Sequence, residues 1–147
     1  GLLATPFTVM ADTVATPVAL WTERPAAILD AADLALEDFQ WLARPIVVFA
    51  DSENDPRFQQ QIELLEARVE ELVERDVVII RDTNPSEPSQ IRTKLRPRGF
   101  MLVLIGKDGG VKLRKPFPWD VRELSRSIDK MPMRQREIRE RRSTGNE

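Results

Sequence analysis

The stretch LIGKDGGVKLRK, Leu104–Lys115, has the pattern of a strand, a tight turn and a second strand. The first strand belongs to FMLVLI, Phe100–Ile105, an apolar run with the length of a buried strand. Asp108 and Gly109 favour positive φ angles, which predicts a primed turn. Apolar and basic residues alternate in the following stretch, VKLRK, as expected of an edge strand with one solvent-exposed face. The chain therefore predicts an antiparallel hairpin.

A strand, a long helix and another strand precede this hairpin. IVVFA, Ile46–Ala50, and VVII, Val77–Ile80, are short, apolar and mostly β-branched, which is typical of strands covered on both faces. Between them, apolar residues recur at steps of four, three, four and three from Phe58 to Leu72, which predicts one helix of about five turns. Two strands joined in this way predict a right-handed βαβ unit with parallel strands.

Shorter amphipathic patterns complete the order of elements. One starts at Ala26, a second spans Ile91 and Leu95 and ends before Pro97, and a third runs from Val121. From the first strong strand onward, the predicted order is β-α-β-α-β-β-α. Two parallel strands, a crossover and an antiparallel hairpin closed by a helix form a thioredoxin-like core. The predicted fold class is therefore α/β with a mixed sheet.

The chain divides into three predicted parts. Residues 1–25 are rich in Thr, Pro, Val and Ala without a sustained period, which predicts an extended or disordered arm. Residues 26–133 contain the patterned segments and predict one thioredoxin-like domain, a size that allows a real core. Residues 134–147 are basic and polar on every face, which predicts a frayed tail.

The composition argues against most kinds of catalysis. The chain has no Cys, His or Tyr, so disulfides, thiolate chemistry and the commonest general base near neutral pH are all excluded. The usual hydrolase triad cannot be assembled either. With 41% hydrophobic and 31% charged residues, the chain is typical of soluble globular proteins, and no apolar run approaches the roughly 20 residues of a membrane span. We expect a protein that is not an enzyme and has no cofactor.

The net charge of −2 conceals two halves of opposite sign. Residues 1–106 carry 10 Lys and Arg against 17 Asp and Glu, a net charge of −7, whereas residues 107–142 carry 12 against 6, a net charge of +6. One interpretation is a solvated helix with a basic tail. The other is a face that attracts acidic proteins, polyanionic glycans, lipid headgroups or nucleic acid.

Four stretches carry a family resemblance. LIGKDGGVKLR, Leu104–Arg114, and SIDKMPMRQREIR, Ser127–Arg139, resemble the DUDES-type domain, a thioredoxin-like family of unknown function. FQWLARPIVVFA, Phe39–Ala50, and ERDVVIIRD, Glu74–Asp82, fit the same pattern. The family occurs in bacterial envelope or secreted proteins and in vertebrate matrix proteins of the coiled-coil-domain-containing and sushi-repeat types. The resemblance covers residues 36–139 and implies a thioredoxin-like fold and an extracytoplasmic location.

The compartment is predicted from the N-terminal residues together with this resemblance. Val9-Met10-Ala11 has the small-residue pattern of a signal-peptidase site, although the apolar stretch before it is short and lacks a basic segment. A periplasmic or secreted location is the favoured interpretation. A cytoplasmic location stays open, because the absence of cysteine fits both.

The leading functional hypothesis is a non-catalytic binding or scaffold module without a thiol site. A protein or a polyanion is the expected partner, and nucleic acid is disfavoured because stacking aromatics are not interleaved with the basic residues. Met131 and Met133 either pack over the core or form a soft partner-binding surface. The candidate binding residues are Lys112, Arg114, Lys115, Arg134, Arg136 and Arg139.

A second hypothesis concerns DSENDP, Asp51–Pro56, at the position of the redox site in thiol-active thioredoxins. No metal site is predicted there, but Asp51, Glu53 and Asp55 are weak cation candidates, since their spacing resembles the start of an EF-hand loop. Helix capping is the simpler interpretation. With Lys107, the same carboxylates are the candidates for an enzyme that uses carboxylate and lysine chemistry. Three tryptophans are predicted in the core or at its edge: Trp21, Trp41 and Trp119.

Overall fold

The computed structural model describes residues 15–145 and contains a five-stranded mixed sheet with helices on both faces. The Val9–Ala11 pattern and residues 1–14 of the predicted arm lie outside these residues. The strands are β1 (Ile28–Asp30), β2 (Arg44–Phe49), β3 (Val77–Asp82), β4 (Met101–Ile105) and β5 (Val111–Lys115). The helices are α1 (Pro17–Glu23), α2 (Pro56–Ala67), α3 (Val69–Glu74), α4 (Gln90–Leu95), α5 (Val121–Asp129) and α6 (Pro132–Gly145).

The sheet has the strand order β1-β3-β2-β4-β5. Strands β1 and β2 both run parallel to β3, whereas β4 is antiparallel to β2 and β5 is antiparallel to β4. The predicted βαβ unit and the predicted hairpin with an edge strand are both confirmed. Every residue of β2 is buried, as expected of a strand covered on both faces.

The turn of the hairpin differs from the predicted primed turn. The Gly106 N–H donates to the Gly110 carbonyl at 2.9 Å, and the Gly109 N–H donates to the Gly106 carbonyl at 3.0 Å. Gly109 has a φ of 86°, but Asp108 keeps a negative φ because its carboxylate accepts the Gly110 N–H at 2.9 Å. The loop is therefore a three-residue turn that ends in a left-handed glycine.

The core consists of two clusters, one on each face of the sheet. Alternate residues of β2 enter the two clusters: Val47 and Phe49 enter one, and Ile46 and Val48 enter the other. The first cluster is covered by α1, α4 and two 3₁₀ turns. The second is covered by α2, α3 and α5. Where one long helix is predicted, Arg68 leaves the helical conformation and divides it into α2 and α3.

The N-terminal prediction is wrong for residues 17–23, which form α1 instead of an extended arm. Thr16 caps this helix by accepting the Ala19 N–H, and a proline occupies its first turn. Trp21 fixes α1 to the domain, since its ring meets Phe39 edge-on at 6.1 Å and its Nε1 donates to the Val77 carbonyl at 3.1 Å. The helix predicted from Ala26 is replaced by β1 and the 3₁₀ turns 31–33 and 36–39.

The prediction of a frayed tail over residues 134–147 is wrong for residues 134–145, and residues 146 and 147 lie outside the described part of the chain. Residues 132–145 form α6 instead of a frayed tail, because buried ion pairs attach this polar helix to the domain. Among residues 15–145, no helix is both long enough and apolar enough to cross a membrane.

Candidate functional site

A cluster of ion pairs connects α6 with the sheet where β2 and β3 begin and β4 ends. Arg44, the first residue of β2, is buried, and its Nη1 and Nη2 donate to the two carboxylate oxygens of Glu137 at 3.1 and 3.0 Å. The Lys107 Nζ donates to Glu137 Oε2 and to Asp76 Oδ2, both at 2.8 Å. Two buried cations therefore share one carboxylate from α6. We call the cluster of Arg44, Asp76, Lys107 and Glu137 the basic end of the sheet.

The pKa of Glu137 lies below its ordinary value. Burial raises this pKa and is the largest single influence, but the hydrogen bonds and charges of Arg44 and Lys107 together outweigh it. Glu137 is therefore ionised at neutral pH and serves as the counter-charge of both cations.

A second set of ion pairs holds the junction of α5 and α6. Arg75 donates from Nε and Nη2 to the two carboxylate oxygens of Asp129 at 3.0 and 2.9 Å, and Arg134 Nε donates to Asp129 Oδ1 at 3.4 Å. The Arg75 hydrogen bond is the main cause that lowers the pKa of Asp129, with a smaller contribution from Arg134. Because the Arg134 residue is only 3% exposed, this predicted binding residue has a structural role inside the fold.

A cavity of about 450 Å³ opens beside the basic end, between the β4–β5 turn and the link from α5 to α6. We call it the basic cavity. Met131, Pro132 and Met133 contribute its apolar lining, and the buried cations Arg44 and Lys107 also line it. Two further amino groups come from exposed residues, Lys112 and Lys130.

The other predicted basic residues do not form one surface. Arg114 Nη1 donates to the Leu95 carbonyl at 2.7 Å, and the Lys115 Nζ lies 4.8 Å from the centre of the Trp119 ring. Arg136 and Arg139 are exposed on α6. The structure thus separates the six candidates. Lys112 lines the cavity, and Arg134 lies inside the fold. Arg114 and Lys115 of β5 contact Leu95 and Trp119, whereas Arg136 and Arg139 lie on the outer face of α6.

The carboxylates of the second hypothesis lie at the opposite end of β2 from Lys107 and are not brought together with it. Asp51 and Glu53 are exposed, and Asp55 caps α2 by accepting the Arg57 N–H at 2.8 Å. In the part of the chain that the structure describes, no three carboxylates are grouped so that they could hold a metal ion. Among the described residues, Lys107 is therefore not brought together with these carboxylates, and the three carboxylates are not grouped around a cation position.

Arg92 closes this opposite end of the sheet. Its Nη2 donates to the backbone carbonyls of Ala50 and Asp82 at 2.9 and 3.0 Å, and its Nε donates to the Asp82 carboxylate at 3.0 Å. Ser89 donates to the same carboxylate at 2.6 Å. A buried arginine therefore links the carboxyl ends of β2 and β3 through hydrogen bonds.

Two of the three tryptophans lie where the sequence predicts them. Trp21 and Trp119 are partly buried against the core clusters. Trp41 contradicts the prediction, because it is 61% exposed and has a φ of 71°. Its backbone N–H donates to the Lys107 carbonyl at 2.7 Å, which fixes a chain reversal and leaves the indole outside the core. Met131 packs against the core, as one of the two interpretations predicts, and it also lines the basic cavity with Met133. The alternative role as a partner-binding surface stays a prediction.

Sequence reasoning missed three of the buried charged residues, Arg44, Asp82 and Arg92, and the counter-charge Glu137. Arg44 carried one usable signal, since an arginine directly before an apolar strand must find a partner if the strand is central. Glu137 carried none, because it lies in a run of charged residues without an apolar period.

The chain belongs to the family described as Domain of unknown function (DUF4174), whose model matches residues 35–137. Three solved structures resemble the fold. Chloroplastic thioredoxin z is 20% identical, with a TM-score of 0.54 over 69% of this chain and 90% of that one. A mutant thioredoxin from Halobacterium salinarum NRC-1 is 22% identical, with a TM-score of 0.53 over 71% and 90%. The reduced 2-Cys peroxiredoxin of Plasmodium vivax is 15% identical, with a TM-score of 0.52 over 65% and 81%.

These likenesses confirm the thioredoxin-like α/β fold and a family of unknown function. No curated protein matches the chain. Because the chain contains no cysteine, it cannot carry the dithiol chemistry of thioredoxins. The DUDES assignment, with its envelope and matrix proteins, stays a prediction.

Proposed function

We propose that this chain is a non-catalytic binding module that holds an acidic protein segment against the outer face of α6. The observation that carries the proposal is the division of charges on this helix. Arg134 and Glu137 face the domain and form its ion pairs, whereas Arg136 and Arg139 are exposed. Within the described residues these two arginines take part in no ion pair, so their charge is available to a partner.

The fixed position of α6 supports this proposal. A frayed tail would have to become ordered when a partner binds, and that ordering would cost conformational entropy. Since α6 is already attached through Arg44 and Lys107, the guanidinium groups of Arg136 and Arg139 are held on a preformed helix. They lie three positions apart and therefore share one side of it.

The positive charge of the C-terminal part of the chain supports an acidic partner for α6. The +6 of residues 107–142 attracts acidic surfaces at a distance, and the −7 of residues 1–106 disfavours close approach by other polyanions elsewhere on the molecule. We include envelope residence in the proposal. The Val9–Ala11 pattern and the resemblance to envelope proteins support it, and fractionation of cells that express the native gene tests it.

The test uses fluorescently labelled poly-L-glutamate and fluorescence anisotropy at about 0.05 and 0.15 M NaCl. We expect saturable binding that weakens with salt, and a loss of affinity of about tenfold in the Arg136→Gln, Arg139→Gln double variant. The control is Arg122→Gln with Arg126→Gln, which removes the same charge from exposed positions of α5. Equal losses in both double variants would mean that binding follows net charge alone, and the role of α6 would be rejected.

A further inference from the structure

We propose that the basic cavity binds a small organic anion, a molecule with an apolar body and one acidic group. This site is separate from the outer face of α6 and does not depend on the function proposed above. The cavity volume of about 450 Å³ falls within the range of roughly 300–1,000 Å³ that is usual for small-molecule sites.

The apolar lining accounts for the body of the ligand. Met131 and Met133 flank Pro132 at the link between α5 and α6, and all three line the cavity. Met131 is anchored in the second core cluster, and Met133 is half-buried. Thioether side chains are flexible and polarisable, so this lining can adapt to aliphatic or aromatic groups.

The charges around the cavity favour an anion. The carboxylates nearest to these charges are already engaged. Glu137 and Asp76 accept from Arg44 and Lys107, and Asp108, which lines the cavity, accepts from Lys112. Lys130, which lines the cavity, forms no ion pair within residues 15–145, so it adds an uncompensated positive charge to this region. An acidic group is the natural counter-charge for it.

One of the buried cations also retains hydrogen-bonding capacity. Lys107 has three N–H donors, of which the Asp76 and Glu137 carboxylates use two. Lys112 lines the cavity as well and shares its charge with Asp108, whose carboxylate is also held by the Gly110 N–H. The cavity therefore combines an apolar wall with a spare N–H donor and spare positive charge.

Two dyes with the same aromatic body test the proposal. 8-Anilinonaphthalene-1-sulfonate carries one anionic group, and N-phenyl-1-naphthylamine carries none. In fluorescence titrations of the whole chain, we expect saturable binding of the anionic dye at one site and binding of the neutral dye that is at least about tenfold weaker. The Lys112→Gln, Lys130→Gln double variant should lose about tenfold in affinity for the anionic dye and keep its affinity for the neutral one.

Methionine methyl signals locate the bound dye. The chain has four methionines, and with ¹³C-methyl labelling the dye should shift the signals of Met131 and Met133 and leave that of Met101 unchanged. The Arg122→Gln, Arg126→Gln variant serves as the charge-matched control and should bind the anionic dye like the wild type. Absence of binding, equal affinity for the two dyes, or shifts that do not include Met131 and Met133 would each overturn the proposal.

Discussion

At the scale of single residues, the stability of the basic end depends on one carboxylate. Arg44 lies at the start of a strand that is covered on both faces, so water cannot neutralise its charge. The Glu137 carboxylate accepts a bidentate pair of hydrogen bonds from Arg44 and a further hydrogen bond from Lys107. The arrangement depends on a residue 93 positions away in the chain, which no local pattern indicates.

Replacing Glu137 by Gln should therefore destabilise the fold. We expect the free energy of unfolding to fall by about 2 kcal/mol, less than the 3–5 kcal/mol of a fully buried pair because the Glu137 side chain is 21% exposed. Urea unfolding followed by tryptophan fluorescence measures the loss. Glu140→Gln, on the exposed part of the same helix, is the control and should change stability by less than about 0.5 kcal/mol. Similar losses in both variants would contradict the role given to Glu137.

At the scale of elements, the hairpin shows how far local pattern reaches. The alternation in β5 and the apolar run of β4 predicted two antiparallel strands, and both exist in the predicted order. The prediction of a primed turn is wrong. The Asp108 carboxylate accepts the Gly110 N–H, and this hydrogen bond favours a three-residue loop. Periodicity determines where strands lie, whereas a single hydrogen bond decides how they are joined.

The three-residue turn makes a testable distinction between neighbouring glycines. Gly109 has a φ of 86°, a conformation in which a Cβ atom costs about 1–2 kcal/mol. Gly110 is not in this region, and a Cβ there would meet the nearest atom, Asp108 Oδ1, at 3.4 Å. We expect Gly109→Ala to lower the thermal midpoint by several degrees and Gly110→Ala to leave it nearly unchanged. A larger loss at Gly110 would contradict the observed turn.

At the scale of the whole molecule, ion pairs attach the C-terminal helix to a conventional apolar core. Asp129 and Glu137 both have pKa values below their ordinary ones, for the reasons given above. Such groups stabilise the fold fully above their unfolded pKa values of about 3.9 and 4.3, and the stabilisation is lost as the pH falls through the folded pKa values. The pKa values of Glu37, Asp55 and Asp108 are also lowered. Glu37 and Asp108 are exposed, and Asp55 pairs with the exposed Arg57, so solvent screens their contributions.

We therefore expect the fold to lose stability in acid as Asp129 and Glu137 become protonated. The urea midpoint should stay nearly constant from pH 7 to about 5 and fall below about pH 4.5. In the Asp129→Asn, Glu137→Gln double variant the midpoint at pH 7 should be lower, and its further decrease in acid should be smaller. Parallel pH profiles for the variant and the wild type would show that other carboxylates govern acid unfolding.

The sequence by itself determined the apolar strands, the parallel βαβ unit, the edge hairpin and the absence of thiol chemistry, because each depends on residue types or on short-range period. Only the tertiary structure decided that α1 and α6 are helices attached to the domain, that Arg134 lies inside the fold and that Trp41 lies outside its core. Tertiary structure also decided where the candidate site lies. The charges of Arg44, Lys107 and Glu137 meet only after β2, β4 and α6 have packed, and an ion pair across so many residues leaves no periodic trace in the chain.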